Sequence, residues 1–377
     1  MSLERIIRKA WSENLLFSVL VELTYRCNLD CYFCYNDLGL RGVPLTRDEY
    51  TRFFEDLRDM QVLHLALTGG EPLTHPDFMF IGRKTKDLGF VVRVKSNGHA
   101  IHGELARRLK EEVAPYVVEV SLHGASAETH DRQTRVPGSF VRLLRNVEGM
   151  LRAGLRVKLN STLTAYNETE IEGMFAIADG FGVTLQFDPE VTARDDGDRS
   201  VLDISASRDG LKRLFRLGRE RASSGVNRGS TEVARQADDL MSPPSTPHGP
   251  HGPPGPPGPP GGKHCGAGSS GVAVDPYGNV YPCVQWRRPA GNLHERSIKE
   301  IWRSSATLDE VRELTVAAGR VVSAYSSPTV KLAFCPGSAE ANTGSPLTVH
   351  AEALLRLEVA QSVEDETKTI HLPVLPN

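Results

Sequence analysis

Between residues 17 and 188 the chain repeats one pattern six times: a short apolar, β-branched segment followed by a longer segment of helical periodicity. Strands that alternate with helices build a parallel sheet through right-handed crossovers. The pattern therefore predicts an α/β fold, either a partial (β/α)6 TIM-like barrel or a doubly wound sheet, and periodicity alone does not separate the two. The six predicted strands are FSVLVELT (17–24), VLHLALT (62–68), FVVRVKS (90–96), YVVEVSL (116–122), LRVKLNSTLT (155–164) and VTLQFD (183–188).

Size and charge exclude several classes of protein. The chain has 377 residues, 40% of them hydrophobic, which suffices for one large core or a core with a small second domain. A formal net charge of -3 provides no strong field for nucleic acid or an acidic membrane surface. The sequence shows neither an apolar run of about 20 residues nor a signal peptide. We expect a soluble cytoplasmic protein with no nucleic-acid or membrane partner.

Three of the six cysteines lie within eight residues, in the segment TYRCNLDCYFCYN. Cys27, Cys31 and Cys34 directly follow the first predicted strand, and loops at the carboxyl ends of parallel strands carry the chemistry in such folds. Clustered thiolates suit an iron–sulfur cluster or zinc, whereas disulfides are unexpected without a secretion signal. Structural zinc usually has four ligands, and three thiolates on a four-iron cluster leave one iron open for a ligand.

This segment resembles the CxxxCxxC motif of the radical S-adenosylmethionine (SAM) superfamily, including the aromatic residue, Phe33, before the last cysteine. The resemblance implies that Cys27, Cys31 and Cys34 bind a [4Fe–4S] cluster whose open iron chelates the amino and carboxylate groups of SAM. In that family an electron from the cluster cleaves SAM reductively, and the resulting 5′-deoxyadenosyl radical abstracts hydrogen from a substrate. The sequence predicts no further catalytic residue.

Other segments at strand ends resemble the SAM-binding motifs of the family. The GGEP segment at residues 69–72 follows the second strand and resembles the motif that contacts the methionine amino group. Ser96 and Asn97 end the third strand and Ser121 the fourth, where the family binds the ribose and the methionine carboxylate. Residues at the ends of the fifth and sixth strands are predicted to line the rim, and Phe33 is expected beside the adenine. The predicted cofactor-binding residues are Phe33, Gly69, Gly70, Glu71, Pro72, Ser96, Asn97, Ser121, Asn160, Thr162 and Gln186.

A second set of cysteines lies beyond residue 260. A DPYGN turn between two short β-like runs predicts a hairpin that brings Cys265 close to Cys283. This region, with the later Cys335, resembles the SPASM domain or its shorter relative, the twitch domain, which bind auxiliary clusters.

Too few thiols are present for two auxiliary clusters, so we predict one [4Fe–4S] cluster bound by Cys265, Cys283 and Cys335. Its fourth ligand stays open: substrate, water or a nearby side chain such as His264. Alternatively, Cys335 is a buried free thiol and this cluster is absent or labile.

These motifs divide the chain into five predicted regions. A proline- and glycine-rich stretch containing GPP repeats is typical of a flexible linker, because so few triplets cannot sustain a collagen helix. The predicted regions are a radical SAM core (1–204), a connecting helix (205–222), the linker (223–263), an auxiliary-cluster domain (264–347) and a C-terminal tail (348–377).

The resemblance to ribosomal-peptide maturases implies oxidative crosslinking or a related modification of a peptide. If all six thiols bind clusters, none remains to return a hydrogen atom, which favours oxidation over epimerisation; a free Cys335 would reverse that preference. Modification of a tetrapyrrole or another small molecule, a non-catalytic iron–sulfur electron carrier and a zinc-stabilised binding protein are the alternatives. The expected partners are the substrate and an external electron donor such as flavodoxin or ferredoxin. Because only 16 residues precede the first strand, we also expect a separate leader-peptide-binding protein for a leader-bearing substrate.

Overall fold

The computed structural model describes residues 3–37, 39–224, 262–327 and 329–370, so most of the predicted linker lies outside the described residues. The strands are β1 (Ser18–Glu22), β2 (His64–Thr68), β3 (Val91–Ser96), β4 (Val117–Ser121), β5 (Val157–Thr162), β6 (Leu185–Asp188), β7 (Gly271–Val274), β8 (Asn279–Tyr281) and β9 (Gly291–Asn292). The α-helices are α1 (Leu3–Glu13), α2 (Arg47–Asp59), α3 (Phe78–Asp87), α4 (Gly103–Arg108), α5 (Ala127–Thr134), α6 (Ser139–Arg152), α7 (Ile171–Phe181), α8 (Arg208–Ser224), α9 (Ile298–Ser304), α10 (Ala306–Tyr325), α11 (Pro336–Thr343) and α12 (Ala351–Ile370).

All six strands predicted between residues 17 and 188 form, and they lie side by side in parallel in one sheet. The strand order is β6-β5-β4-β3-β2-β1-β7-β8-β9. The C-terminal hairpin extends this sheet, because β7 pairs in parallel with β1 and Ser18 lies opposite Gly271. The second set of cysteines is therefore attached to the strand that leads into the first set.

The two faces of the parallel sheet differ in composition. Residues such as Val21, Leu67 and Val94 are fully buried against the helices, where they meet Phe54 of α2 and Leu143 of α6. On the alternate positions the strands carry polar and charged side chains. A doubly wound sheet would bury apolar side chains on both faces, because helices cover both. The polar second face agrees with a partial (β/α)6 barrel, and the predicted α/β fold class with a parallel sheet is confirmed. The polar face includes Glu22, Thr68, Lys95, Glu119, Ser121, Asn160 and Gln186.

The long loop that carries the first cysteines is fixed at both ends. It leaves β1 after Glu22 and reaches α2 through a capping box, in which Thr46 Oγ1 accepts from the Glu49 amide and Glu49 Oε2 accepts from the Thr46 amide at 2.8 Å. A capping residue of this type contributes about 1 kcal/mol to helix stability.

The C-terminal region packs onto the barrel rather than standing apart from it. Val274 of β7, with Ile301 and Trp302 of α9, belongs to the same apolar core as the barrel strands. The segment predicted as a C-terminal tail contains α12, which packs along α8 with ion pairs such as Arg208–Glu358. In the described ranges, no helix combines the length and apolar character needed to cross a membrane.

Candidate iron–sulfur and S-adenosylmethionine site

The three clustered cysteines converge in the loop after β1. The amide of Cys34 donates to the Cys31 carbonyl at 3.2 Å, and the amide of Leu29 donates to Cys27 Sγ at 3.4 Å. Burial, followed by the charges of Cys34 and Cys27, raises the pKa of the Cys31 thiol. The Cys27 side chain is exposed, but the surrounding protein still desolvates its thiol and raises its pKa. The three sulfur atoms therefore lie within one another's electrostatic field.

This donor set fits the cluster that the motif implies. Thiols that raise one another's pKa become stable thiolates only beside a strong positive centre, and bound iron supplies that charge. No three His, Cys, Asp or Glu side chains in the described parts of the chain are arranged around a single metal ion. Ligands at the corners of a four-iron cluster lie farther apart than the ligands of one ion. Three converging thiols with one exposed member suit a cluster held at three corners.

Two glycines allow the turn after β2 to pack against this loop. The Gly70 amide donates to the Thr24 carbonyl at 2.6 Å, and the Glu71 amide donates to the Arg26 carbonyl at 2.9 Å. A Cβ on Gly69, whose φ is +144°, would lie 2.3 Å from the Thr24 oxygen, and one on Gly70 would lie 2.5 Å from the Arg26 oxygen. The GG pair is thus required by the close approach of two backbones.

The buried carboxylate of Glu71, which follows β2, accepts hydrogen bonds from residues at the end of β3. It is fully buried and accepts from Ser96 Oγ at 2.9 Å, from the Asn97 amide at 2.7 Å and from the Leu73 amide at 3.1 Å. Burial raises its pKa to about 7, although these hydrogen bonds act in the opposite direction. The next residue, Pro72, is buried at the start of a 3₁₀ turn. Three predicted cofactor-binding residues, Glu71, Ser96 and Asn97, are therefore directly connected.

Asn97 extends this network to the cysteine loop. Its Nδ2 donates to Asn28 Oδ1 at 2.7 Å and lies 3.7 Å from Cys27 Sγ. Its Oδ1 accepts from the amide of His99 at 3.0 Å. The end of β3 therefore touches both the GGEP turn and the first cysteine.

Most of the remaining predicted residues lie along the carboxyl ends of β4, β5 and β6. Ser121 is opposite Asn160, which in turn is opposite Gln186, so the three occupy one row across adjacent strands. Asn160 Nδ2 donates to Glu119 Oε2 at 3.1 Å, and Gln186 is exposed. Thr162 ends β5 in register with the last residue of β6.

Phe33 lies beside His123, with the ring centroids 4.5 Å apart and the rings edge to face. The His123 amide donates to Nδ1 of His130, which is itself buried. Burial lowers the pKa of His123 to about 3 and that of His130 to about 4, so both rings are neutral at pH 7. These histidines shape the surroundings of Phe33.

A layer of charges beneath the rim was not predicted from the sequence. Lys95, Glu119 and Lys158 are in register on β3, β4 and β5. Glu119 is almost completely buried, and it pairs with Arg93 and, at 2.8 Å, with Lys95. The sequence signal was available: in VVRVKS, VVEVS and VKLNS, polar residues alternate with apolar ones at a spacing of two, which indicates one polar face.

A second unpredicted network links the barrel with the C-terminal region. Glu22 at the end of β1 is fully buried, and Arg287 donates to both of its oxygens, at 2.9 and 2.8 Å. Arg287 also lies 2.9 Å from Asp195 Oδ2, and the hydroxyl of Tyr25 donates to Glu22 at 3.2 Å. Desolvation raises the pKa of Asp195 to about 6 despite this arginine. The sequence feature that could have indicated this network is Glu22, the only charged residue in the first strand.

The second set of cysteines also converges. The predicted hairpin forms, with Gly278 in its turn at φ +78°. Cys265 precedes β7 and Cys283 follows β8, and both contact one small apolar cluster. Burial raises the pKa of Cys265 to about 12. The pKa of Cys335 is raised first by burial and then by the charges of Glu190, Cys283 and Cys265, so its thiol lies near the other two.

Cys335 also caps a helix. It is the N-cap of α11, and its Sγ accepts from the amide of Ser338 at 3.5 Å. A helix N-terminus stabilises negative charge, so this position favours the thiolate that iron requires. Three thiols meeting beside a hairpin fit an auxiliary cluster held at three corners.

Two family models match this chain. The family model described as the radical SAM superfamily matches residues 21–177, and the one described as the SPASM iron–sulfur cluster-binding domain matches residues 265–322. The first range contains Cys27, Cys31 and Cys34, and the second contains Cys265 and Cys283.

Three curated relatives match most of the chain. The AdoMet-dependent heme synthase of Methanosarcina barkeri is 29% identical over 78% of this chain and 83% of its own length. The mycofactocin maturase MftC of Mycobacterium tuberculosis is 28% identical over 78% of this chain and 71% of its own length. The PqqA peptide cyclase of Ruegeria pomeroyi is 25% identical over 78% of this chain and 76% of its own length.

Solved structures share the fold. Native anSMEcpe with bound AdoMet superimposes with a TM-score of 0.63 at 16% identity. The superposition covers 94% of this chain and 100% of that one. Streptococcus suis SuiB bound to S-adenosylmethionine superimposes with a TM-score of 0.60 at 15% identity, covering 80% of this chain and 68% of that one. This chain therefore contains a radical SAM domain at residues 21–177 and a C-terminal SPASM iron–sulfur cluster-binding domain at residues 265–322.

Proposed function

We propose that this radical SAM enzyme oxidatively modifies a ribosomally made peptide, most specifically by forming a crosslink within it. The observation that carries the proposal is the attachment of both cysteine sets to neighbouring strands: the first follows β1, and the second flanks a hairpin whose β7 pairs with β1. A hydrogen-abstraction site and an electron acceptor attached to the same pair of strands suit an oxidation, because the reaction removes a second electron from the substrate.

In this proposal Cys27, Cys31 and Cys34 hold the SAM-binding [4Fe–4S] cluster, which supplies reductive cleavage of SAM and hence hydrogen abstraction. The GGEP turn positions the bound SAM through its backbone, because the side chain of Glu71 is engaged by Ser96 and the Asn97 amide. Ser96, Asn97 and Ser121 would bind the ribose and the methionine carboxylate, and Phe33 would contact the adenine. The rim toward SAM or the substrate would be lined by Asn160, Thr162 and Gln186.

Cys265, Cys283 and Cys335 hold the auxiliary cluster in this proposal. With Cys335 bound to iron, the chain has no spare thiol among its six to return a hydrogen atom to a substrate radical. Oxidation is therefore favoured over epimerisation. We assign the radical SAM core to residues 1–204, the connecting helix to 205–222, the linker to 223–263, the auxiliary-cluster domain to 264–347 and the tail to 348–377.

The peptide substrate is supported by the name of one relative, PqqA peptide cyclase. We further propose that a flavodoxin or ferredoxin supplies the electron and that a separate protein presents the leader of the peptide. Because the polar barrel face carries both signs of charge, an extended peptide with polar groups can be accommodated there.

The test uses anaerobically purified and reconstituted protein supplied with SAM and dithionite. We expect 5′-deoxyadenosine and methionine to form, and Cys31→Ala to abolish both products while Cys335→Ala retains them. Precursor peptides encoded in the same genome are then added singly, and mass spectrometry looks for the loss of a pair of hydrogen atoms. Absence of 5′-deoxyadenosine would disprove radical SAM activity. An unchanged peptide mass in H2O, together with deuterium at an α-carbon when the assay is run in D2O, would establish epimerisation instead.

A second candidate substrate is a tetrapyrrole, supported by the relative named AdoMet-dependent heme synthase. The two substrates are distinguished by adding porphyrin carboxylates to the same assay. Porphyrin-dependent stimulation of 5′-deoxyadenosine formation with a new porphyrin product would favour this candidate over the peptide.

A further inference from the structure

Three thiols leave one corner of a four-iron auxiliary cluster without a cysteine ligand. The next ligand must come from a side chain near Cys265, Cys283 and Cys335, or from a molecule that is not part of the chain. Candidates near these cysteines include the imidazole of His264 and the oxygen atoms of Ser338 and Glu190.

His264 connects the two chain segments that carry Cys265 and Cys335. It directly precedes Cys265 in the chain, and its Nε2 is 2.7 Å from the carbonyl oxygen of Phe334, which directly precedes Cys335. Its backbone is also fixed, because its amide donates to the Thr315 carbonyl at 2.9 Å. The ring therefore bridges the two segments that carry these thiols.

The contact with Phe334 determines the tautomer of the ring. A carbonyl oxygen can only accept a hydrogen bond, so Nε2 of His264 carries the proton. In the neutral ring the lone pair then resides on Nδ1, which the contact with Phe334 leaves available to a metal. Metal-binding histidines typically show this arrangement, with one nitrogen bound to the metal and the other N–H donated to a carbonyl.

The competing oxygen atoms are already engaged. Ser338 Oγ donates to Glu190 and accepts from Asn342 Nδ2 at 3.3 Å. The other oxygen of Glu190 accepts from Arg356 at 2.9 Å, and His350 lies 3.7 Å from this carboxylate. Coordination by either group would break a buried hydrogen-bonded network, which is costly.

We propose that Nδ1 of His264 is the fourth protein ligand of the auxiliary cluster, which then has three cysteine ligands and one histidine ligand. This inference rests on the proposed function, since it assumes that Cys265, Cys283 and Cys335 bind that cluster. A neutral imidazole replaces a negative thiolate, so the reduced cluster is stabilised relative to an all-cysteine cluster. Its reduction potential is raised accordingly, which suits a group that accepts an electron from a substrate.

The experiment measures the nitrogen ligand directly. Full-length protein carrying ¹⁵N only in histidine is reconstituted without SAM, reduced and examined by pulsed electron paramagnetic resonance. The Cys31→Ala variant, prepared in the same way, removes the signal of the SAM-binding cluster. We expect a strong ¹⁵N coupling to the auxiliary cluster in both proteins.

Two variants complete the test. His264→Cys provides a fourth thiolate, so the nitrogen coupling should disappear, the iron content should be kept and the reduction potential should fall. His102→Cys, at an exposed position before α4, is the control for an added thiol and should leave coupling and potential unchanged. A fully loaded auxiliary cluster without ¹⁵N coupling would overturn the His264 assignment and leave the proposed function intact. Absence of auxiliary iron in the wild-type protein would instead overturn the cluster assignment itself.

Discussion

Arg287 places its two terminal nitrogens on the two oxygens of Glu22, at 2.9 and 2.8 Å, across a sequence separation of 265 residues. Glu22 ends the strand that leads into the first cysteine loop, and Arg287 follows Cys283 by four residues. This buried ion pair connects the segments that carry the two cysteine sites. It fixes their separation, on which electron transfer between the sites and a shared substrate would depend.

Removing one member of this pair should strongly destabilise the protein. Arg287→Ala leaves the carboxylate of Glu22, which has no solvent exposure, without its counter-charge. Loss of one partner of a buried ion pair costs roughly 3–5 kcal/mol. Urea unfolding of the apo protein measures this change in the free energy of unfolding.

The matched control is Arg83→Ala, which breaks the accessible pair with Glu112. Pairs of that kind contribute about 0–1 kcal/mol. Equal losses in the two variants would show that the Glu22–Arg287 pair is no more important to stability than a surface pair.

Gly69→Ala should displace the cysteine loop. The new Cβ would lie 2.3 Å from the Thr24 carbonyl oxygen, which is backbone and cannot rotate away. We expect reduced iron content and loss of SAM cleavage after reconstitution. Gly180→Ala in the last turn of α7 is the control, because its Cβ would meet nothing within 4 Å, so iron content and SAM cleavage should be unchanged. Wild-type iron content in Gly69→Ala would contradict the packing argument.

Glu71 should make the stability of the apo protein depend on pH. Burial raises its folded-state pKa from 4.5 to about 7, so the folded protein holds this proton more tightly than the unfolded chain does. The associated stability is complete below about pH 4.5 and is lost as the pH rises through 7. Glu71→Gln keeps a neutral side chain, so its free energy of unfolding should fall less than that of wild type between pH 5 and 8.

Chemical denaturation at several pH values tests this prediction, with Glu128→Gln on the exposed side of α5 as the control. If Glu71→Gln follows the wild-type pH dependence, the donors Ser96, Asn97 and Leu73 stabilise the carboxylate enough to offset its burial.

Cys335→Ala should remove one cluster and leave the other. Two [4Fe–4S] clusters give about eight irons per chain, and the variant should retain about four together with SAM cleavage. Iron and sulfide analysis after reconstitution measures this outcome. Cys31→Ala should also retain about four irons but lose SAM cleavage. About four irons in both wild type and Cys335→Ala would mean that Cys335 is a free thiol, and the preferred reaction would become epimerisation.

The cysteine spacing and the strand pattern could be interpreted without a structure because both are local. Three thiols within eight residues must lie close together in any fold, and alternation of strands and helices restricts the sheet to parallel pairing. Polar residues that recur at every second position inside the apolar strands also indicate that the sheet has one polar face. Lys95 and Glu119 lie on that face. That pattern would have favoured the partial barrel over the doubly wound sheet.

The sequence by itself determined the six parallel strands, the C-terminal hairpin, the two groups of cysteines and the radical SAM and SPASM resemblances, because these depend on short-range pattern and spacing. Only the tertiary structure decided that β7 pairs with β1, that Arg287 reaches Glu22 and that His264 meets the carbonyl before Cys335. These contacts join residues 70 to 265 positions apart. No periodicity encodes such distances; the packing of the hairpin against the edge of the barrel creates them.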